Sequence, residues 1–343
     1  MNRRNFKKQI AGLALALPLG KGLTDQPVTI KPQRLNKGDI VGVIAPGSQI
    51  NEKALEKGKR NLESLGLEVK FAKNIRAKRG FNAGTDEQRL EDLHTMFADR
   101  NIAAIWCARG GYGCTRLLPQ IDYNLIRTNP KALIGYSDIT ALLQAIQVET
   151  GLIGFHAAVA SSDFTRYTKR YLKRILFQDK DETVIELAKP NQRKGKRDTA
   201  FQARTIRQGI ARGNLVGGNL SLLAALSGTK WELKAQNKIV FIEDIGEKPY
   251  RVDRMLTQLR QAAALRFAAG LALGIFTDCE AGKNDLSLTL QETLDDRLSD
   301  LGVPVAYGLS FGHIPDQCVL PVGIAAELDA TEQKLTLLEA AVS

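Results

Sequence analysis

The sequence predicts an α/β protein built on a parallel sheet that is buried on both faces, and two observations carry that prediction. Short runs of strand length alternate with segments of helical period, and the runs are apolar throughout instead of on every second residue. The chain has 343 residues, of which 44% are hydrophobic and 25% charged, enough for two domains sharing one interface.

The elements follow in order. "GDIVGVIAPGS", residues 38–48, reads as a first strand ending in a Pro-Gly turn, and residues 51–65 carry apolar side chains at helical spacing. "LEVKFA" is a second strand. Thr85-Asp86-Glu87-Gln88 is a capping signature opening a helix through Phe97. "IAAIWCA", 102–108, feeds straight into "RGGYG", and "ALIGYS" feeds a helix beginning at Asp138. The basic stretch 179–212 interrupts the alternation and is expected to be a linker, with residues 36–178 as one domain and 213–343 as the next. In the second domain, "GNLVGGNLSLLAALSG" predicts a Gly-rich turn into a helix, and "KIVFIEDIGE" a strand ending in acids. A helix over 250–265, the strand "GLALGIFT", a helix near 290–301 and the strands "PVAYGLS" and "CVLPVG" complete that unit.

The net charge of +11 is concentrated in two places. Arg3, Arg4, Lys7, Lys8 and Lys21 lie in a stretch without acids, and a second basic group runs from Lys189 to Arg212. Aromatic residues are sparse and no zinc-finger or RNP-like pattern accompanies the charge, so nucleic acid is not the expected partner. "MNRRNFKKQIAGLALALPLG" has a twin arginine, a basic flank and a short apolar run. It predicts an export signal and linker over residues 1–30, hence a periplasmic or extracytoplasmic enzyme, with a cytoplasmic protein as the alternative. The apolar run is too short to span a bilayer. The four cysteines show no metal-binding spacing, and no cofactor or metal is expected.

Chemistry collects beyond the carboxyl ends of parallel strands. Three such ends are polar here: "ARGGYG", "GYSD" and "IEDIGE". Ser137 stands on a strand-to-helix turn, where a hydroxyl is exposed beside free amides; it is either a nucleophile or a helix N-cap. Of three histidines, His94 reads as a surface residue and His156 as a hydrogen-bonded core imidazole. His313 lies in a loop and is the best base. Glu243 suits the acid that orients the base, with Asp244 and Glu247 as rivals and an oxygen-ligand site of Glu243, Asp244 and Asp253 as the alternative. The glycines of "RGGYG" lack P-loop spacing; Gly110 or Gly111, with Asp138, would supply oxyanion amides. Arg109 would hold a substrate carboxylate or form a structural ion pair, and Tyr112 and Asn219 are further candidates for substrate contact.

"GDIVGVIAPGS", "RGGYGCTRLLPQID", "GYSDITALL", "GGNLSLL", "FIEDIGEKPYRVDRMLTQLR" and a Gly-His ahead of "LPVG" occur in this order from residue 38 onward. Together they resemble the LD-carboxypeptidase family of serine peptidases, which includes the microcin-immunity amidases. The resemblance implies a Ser137, Glu243, His313 triad, a flavodoxin-like or amidotransferase-like N-terminal sheet and a C-terminal swivelling β/α domain. It also implies a homodimer that releases the terminal D-alanine of murein tetrapeptides, with an amidase of peptidyl-nucleotide antibiotics or a non-catalytic binder of cell-wall peptides as the alternatives. Two positions depart from the family pattern: His156-Ala157-Ala158 replaces a usual His-Gly-Pro, and Ile314 follows His313 where glycine is usual.

Overall fold

The computed structural model describes residues 28–262 and 265–343; the expected export signal and linker, apart from residues 28–30, lie outside the described residues. Five strands, β1 (Ile40–Ile44), β2 (Glu68–Phe71), β3 (Ile102–Cys107), β4 (Ala132–Gly135) and β5 (Gly154–His156), form a parallel sheet in the order β2-β1-β3-β4-β5. That order is flavodoxin-like, and a crevice opens beyond the carboxyl ends where the strand order reverses. Helices α1 (Glu52–Glu63), α2 (Asp86–Ala98), α3 (Tyr123–Thr128), α4 (Thr140–Thr150) and α5 (Arg166–Leu176) belong to this half. The predicted capping box at Thr85 and Gln88 is formed.

The second sheet has eight strands. These are β6 (Thr183–Ile185), β7 (Arg204–Arg207), β8 (Ile210–Asn219), β9 (Ile239–Glu243), β10 (Gly270–Leu273), β11 (Val305–Tyr307), β13 (Ala325–Asp329) and β14 (Lys334–Leu337). Strands β8 to β11 are parallel neighbours, and the flanking strands run antiparallel. Helices α6 (Lys189–Gly195), α7 (Leu220–Leu226), α8 (Pro249–Gln261) and α9 (Leu290–Leu298) complete this half.

Three expectations are corrected. Residues 179–212 do not form a linker: they contain β6, α6, β7 and the start of β8. Phe201 is buried, and Arg204 and Arg212 reach Asp295 and Glu327 at 2.6 Å. Most of the basic side chains are exposed, but Arg204 is largely buried over the Tyr307 ring. "GNLVGGN" is likewise the end of a ten-residue strand, not a turn. A Cβ on Gly218 would lie 2.4 Å from the Thr140 side chain, so its glycine permits β8 to approach α4. Finally, β12 (Leu320–Val322), from "CVLPVG", pairs antiparallel with β5 and closes the edge of the first sheet. Pro321 is tolerated there because an edge strand leaves one side of its backbone unpaired.

That crossing ties the two halves together. Ile239 and Phe241 of β9 and Phe311 pack in one continuous core with Phe155, Ile134 and Leu320. Val240 and Ile242, on the other face of β9, pack in a separate cluster with α8 and α9. The carboxyl ends of β3, β4 and β9 therefore meet across a shared interior.

Candidate active site

Ser137 follows β4 with φ +64°, one of four non-glycine residues with positive φ among the described residues. Its side chain caps no helix: the short helical turn Ser137–Ile139 begins at Tyr136 without a side-chain cap, and α4 follows from Thr140. A strained backbone that serves no cap favours a displayed hydroxyl. Gly110 packs directly against it, since a Cβ there would lie 3.0 Å from the Ser137 Cβ.

The loop after β3 is held in place by its neighbours. The Ser48 amide donates to the Gly110 carbonyl (3.1 Å), and the Tyr112 amide donates to Ser48 Oγ (3.1 Å). The buried Asp138 carboxylate accepts from the Cys114 amide at 3.0 Å, fastening the serine turn to the glycine-rich loop. The amides of Gly110 and Gly111 have no acceptor among the described residues.

His313 Nδ1 lies 2.7 Å from Glu243 Oε2. The Glu243 carboxylate is fully buried. Burial works against charge on both groups. The attraction between them prevails: Glu243 is held below the usual carboxylate range, and His313 is raised above 6.5 by Glu243 and, more weakly, by Asp244. The Tyr136 ring meets the imidazole edge to face, centroids 4.8 Å apart. Ser137, His313, Arg109, Gly110 and Gly111 line one cleft of about 550 Å³. No hydrogen bond joins Ser137 to His313 in this structure, in keeping with the looser contacts of substrate-free catalytic sites. A larger basin of about 1090 Å³, around Lys248 and Leu286, contains neither Ser137, Glu243 nor His313; of the candidate residues it is lined by Asp253.

The other candidates are sorted by their contacts. Arg109 pairs with no carboxylate among the described residues; its guanidinium donates to the Gln49 carbonyl at 3.0 Å, which sets aside the structural ion pair. Tyr112 is exposed, stacks edge to face on Phe81 at 5.2 Å and does not line the cleft. Asn219 is buried, caps α7 and donates to Asp244 at 2.9 Å, so its amide does not face the cleft. Asp244 also accepts from the Ser221 amide, the Ser221 hydroxyl and the Ile245 amide. Asp253 contacts Thr257 and Arg297 instead, and Glu247 contacts Arg251, so the oxygen-ligand set is dispersed. Among the described residues no group of three acids, histidines or cysteines could hold a metal ion.

His94 is half-buried, not a surface residue, and accepts from the Asp122 amide. His156 is buried as expected, yet neither ring nitrogen has a hydrogen-bond partner among the described residues. Ser48 escaped the sequence reading; the signal was its place directly after the first strand's Pro-Gly turn.

Comparison with known proteins gives this geometry its context. The LD-carboxypeptidase N-terminal domain matches residues 41–157 and the LD-carboxypeptidase C-terminal domain residues 212–328. The chain belongs to the LD-carboxypeptidase family. It is 41% identical to the probable murein peptide carboxypeptidase of Bacillus subtilis, covering 91% of this chain and 95% of that one. Identity to the murein tetrapeptide carboxypeptidase of Pseudomonas aeruginosa is 34%, over 84% and 92% of the two chains. The solved MccF-like protein from Bacillus anthracis superposes with a TM-score of 0.79 at 27% identity, covering 91% of this chain and all of that one. The LD-carboxypeptidase described here is a serine carboxypeptidase with a two-domain α/β fold.

Proposed function

We propose that this enzyme hydrolyses the amide between an L-configured centre and the terminal D-alanine of murein tetrapeptides, through Ser137, His313 and Glu243. The observation that carries the reading is the uncapped, positive-φ Ser137 in one cleft with a histidine already bonded to a buried carboxylate.

Neutral His313 takes the Ser137 proton as the hydroxyl attacks the carbonyl, and Glu243 on Nδ1 holds the ring with Nε2 toward the serine. The amides of Asp138 and of Gly110 or Gly111 receive the oxyanion. His313 then protonates the leaving amine, and water resolves the acyl-enzyme. Arg109, exposed on the cleft wall with its guanidinium only partly occupied, would receive the terminal carboxylate.

A second reading, an amidase of peptide–nucleotide conjugates, draws support from the likeness to the MccF-like protein. Purified enzyme incubated with a murein tetrapeptide and, separately, with an aminoacyl-nucleotide conjugate distinguishes them. Chromatography should show free D-alanine from the first; cleavage of the conjugate alone would replace this reading with the second.

The proposal extends to an exported homodimer. Replacing Arg3 and Arg4 by lysine should retain the protein in the cytoplasm on cell fractionation, and sedimentation should give twice the chain mass. An unchanged location or a monomer would remove the respective part.

A further inference from the structure

Ser48 has no part in the mechanism above, yet it grips the glycine-rich loop twice. Its amide donates to the Gly110 carbonyl and its Oγ accepts from the Tyr112 amide, both at 3.1 Å. These two bonds hold the two peptide groups that flank Gly111. The contact is close as well: Gly111 has φ +105°, and a Cβ on it would collide with Ser48 Oγ and Cβ, so glycine is needed for the serine to approach.

Peptide planarity turns the first of these bonds into a direction. In a trans peptide the C=O of one residue and the N–H of the next point opposite ways. With the Gly110 carbonyl on Ser48, the Gly111 N–H is aimed away from Ser48. Gly111 and Ser137 line the cleft and Ser48 does not, so the side away from Ser48 is the side of the cleft. Ser137 is adjacent, since a Cβ on Gly110 would lie 3.3 Å from its Oγ. The Gly111 amide has no acceptor among the described residues. The preceding peptide is not fixed in this way: neither the Arg109 carbonyl nor the Gly110 amide is hydrogen-bonded among the described residues.

The turn that carries Ser48 is itself anchored. The buried Arg89 guanidinium donates to the Pro46 carbonyl at 2.5 Å and to the Gly113 carbonyl at 3.1 Å. The Ala83 amide donates to the Gly47 carbonyl at 3.0 Å. Ser48 therefore stands on a fixed base, and the far end of the loop is held without it.

We propose that Ser48 is a positioning residue of the active site, whose amide and hydroxyl fix the two peptide planes of Gly111 and direct the Gly111 N–H, not that of Gly110, at the oxyanion. This rests on the reading of Ser137 as the nucleophile. A glycine released from one of its two fasteners turns about its own φ and ψ at little cost, so loss of the Ser48 hydroxyl lets the N–H leave its line. The oxyanion forms only on attack, so that loss falls on the transition state and not on substrate binding.

The test compares full-length wild type with Ser48→Ala, which removes the acceptor, and Ser48→Thr, which keeps it. With a murein tetrapeptide as substrate, Ser48→Ala should lower kcat by about tenfold at unchanged KM, less than the roughly 10²–10³ lost when an oxyanion donor is removed outright. Ser48→Thr should recover most of that loss. A folded Ser48→Ala with wild-type kcat, or one that changes KM alone, would overturn the proposal.

Amide ¹H–¹⁵N NMR with a peptide boronate, which carries boron in place of the scissile carbonyl, reads the donor directly. Ser137 Oγ adds to boron and its proton passes to His313, giving a tetrahedral anion. In wild type the Gly111 amide proton should move downfield on adduct formation while that of Gly110 does not, and the displacement should shrink in Ser48→Ala. An adduct that leaves Gly111 unmoved, or moves it equally in Ser48→Ala, would overturn the proposal. If wild type forms the adduct but cleaves no tetrapeptide, the substrate reading fails and the NMR result still decides Ser48. With neither adduct nor cleavage, the nucleophile reading fails and the proposal falls with it.

Discussion

Glu243 and Asp244 are consecutive acids at the end of one strand, and the structure gives them opposite surroundings. Glu243 lies on the face of β9 that looks into the shared interior, with one carboxylate oxygen on His313 and the other unserved. Asp244 turns toward α7 and accepts four hydrogen bonds, from Asn219, Ile245 and twice from Ser221. Their charges diverge accordingly. Burial, reinforced by the Glu243 charge, raises Asp244 to about 6, whereas the attraction of His313 keeps Glu243 low. The difference separates an acid spent on architecture from one left partly unsatisfied to act on a neighbour. Functional groups in buried sites are recognised by what their partners leave undone.

The comparison would break if Glu243 proved dispensable. Glu243→Gln should lower kcat by roughly 10³–10⁴, the scale of losing the orienting acid in a serine triad, with circular dichroism unchanged. Asp244→Asn should do the reverse. Its new amide would face donors from Ser221, Asn219 and Ile245, costing roughly 1–3 kcal/mol in denaturant unfolding while leaving most of kcat. An Asp244 variant that kept its stability and lost turnover would exchange the two roles.

Ser137 offers a smaller stability effect of opposite sign. Glycine tolerates its φ of +64° without a Cβ penalty, so Ser137→Gly should raise stability by about 1 kcal/mol while abolishing turnover. A destabilised Ser137→Gly would mean that the hydroxyl serves the fold.

The smallest effect sharpens the electrostatic contrast. His313 must be unprotonated to act as base, and its folded value is raised, so activity should climb only above pH 6.5. Asp244 contributes to that rise from a distance, so Asp244→Asn should move the acid limb slightly down. A wild-type limb below 6.5 in kcat/KM would contradict the ion pair.

The sequence made the parallel sheet and the three polar strand ends legible because apolar runs and glycine-rich turns are local signals. It also put Ser137, Glu243 and His313 within one ordered set of motifs. The strand Arg204–Arg207 stayed hidden because it lies within a run of basic residues, and the sheet that β12 joins because nothing local reports a strand returning to the other half. Asn219 was read as a substrate contact although it is a buried cap. Its partner, Asp244, lies 25 residues on and meets it only through the pairing of β8 with β9. The two unpaired nitrogens of His156 are equally invisible in sequence, since only packing shows which partners a side chain lacks.

The most direct test of the account is mass spectrometry of a murein tetrapeptide incubated with wild type and with Ser137→Ala. The account predicts loss of one terminal alanine with wild type and, at equal fold, a rate lower by roughly three orders of magnitude or more with the variant. Near-full cleavage by Ser137→Ala would contradict it.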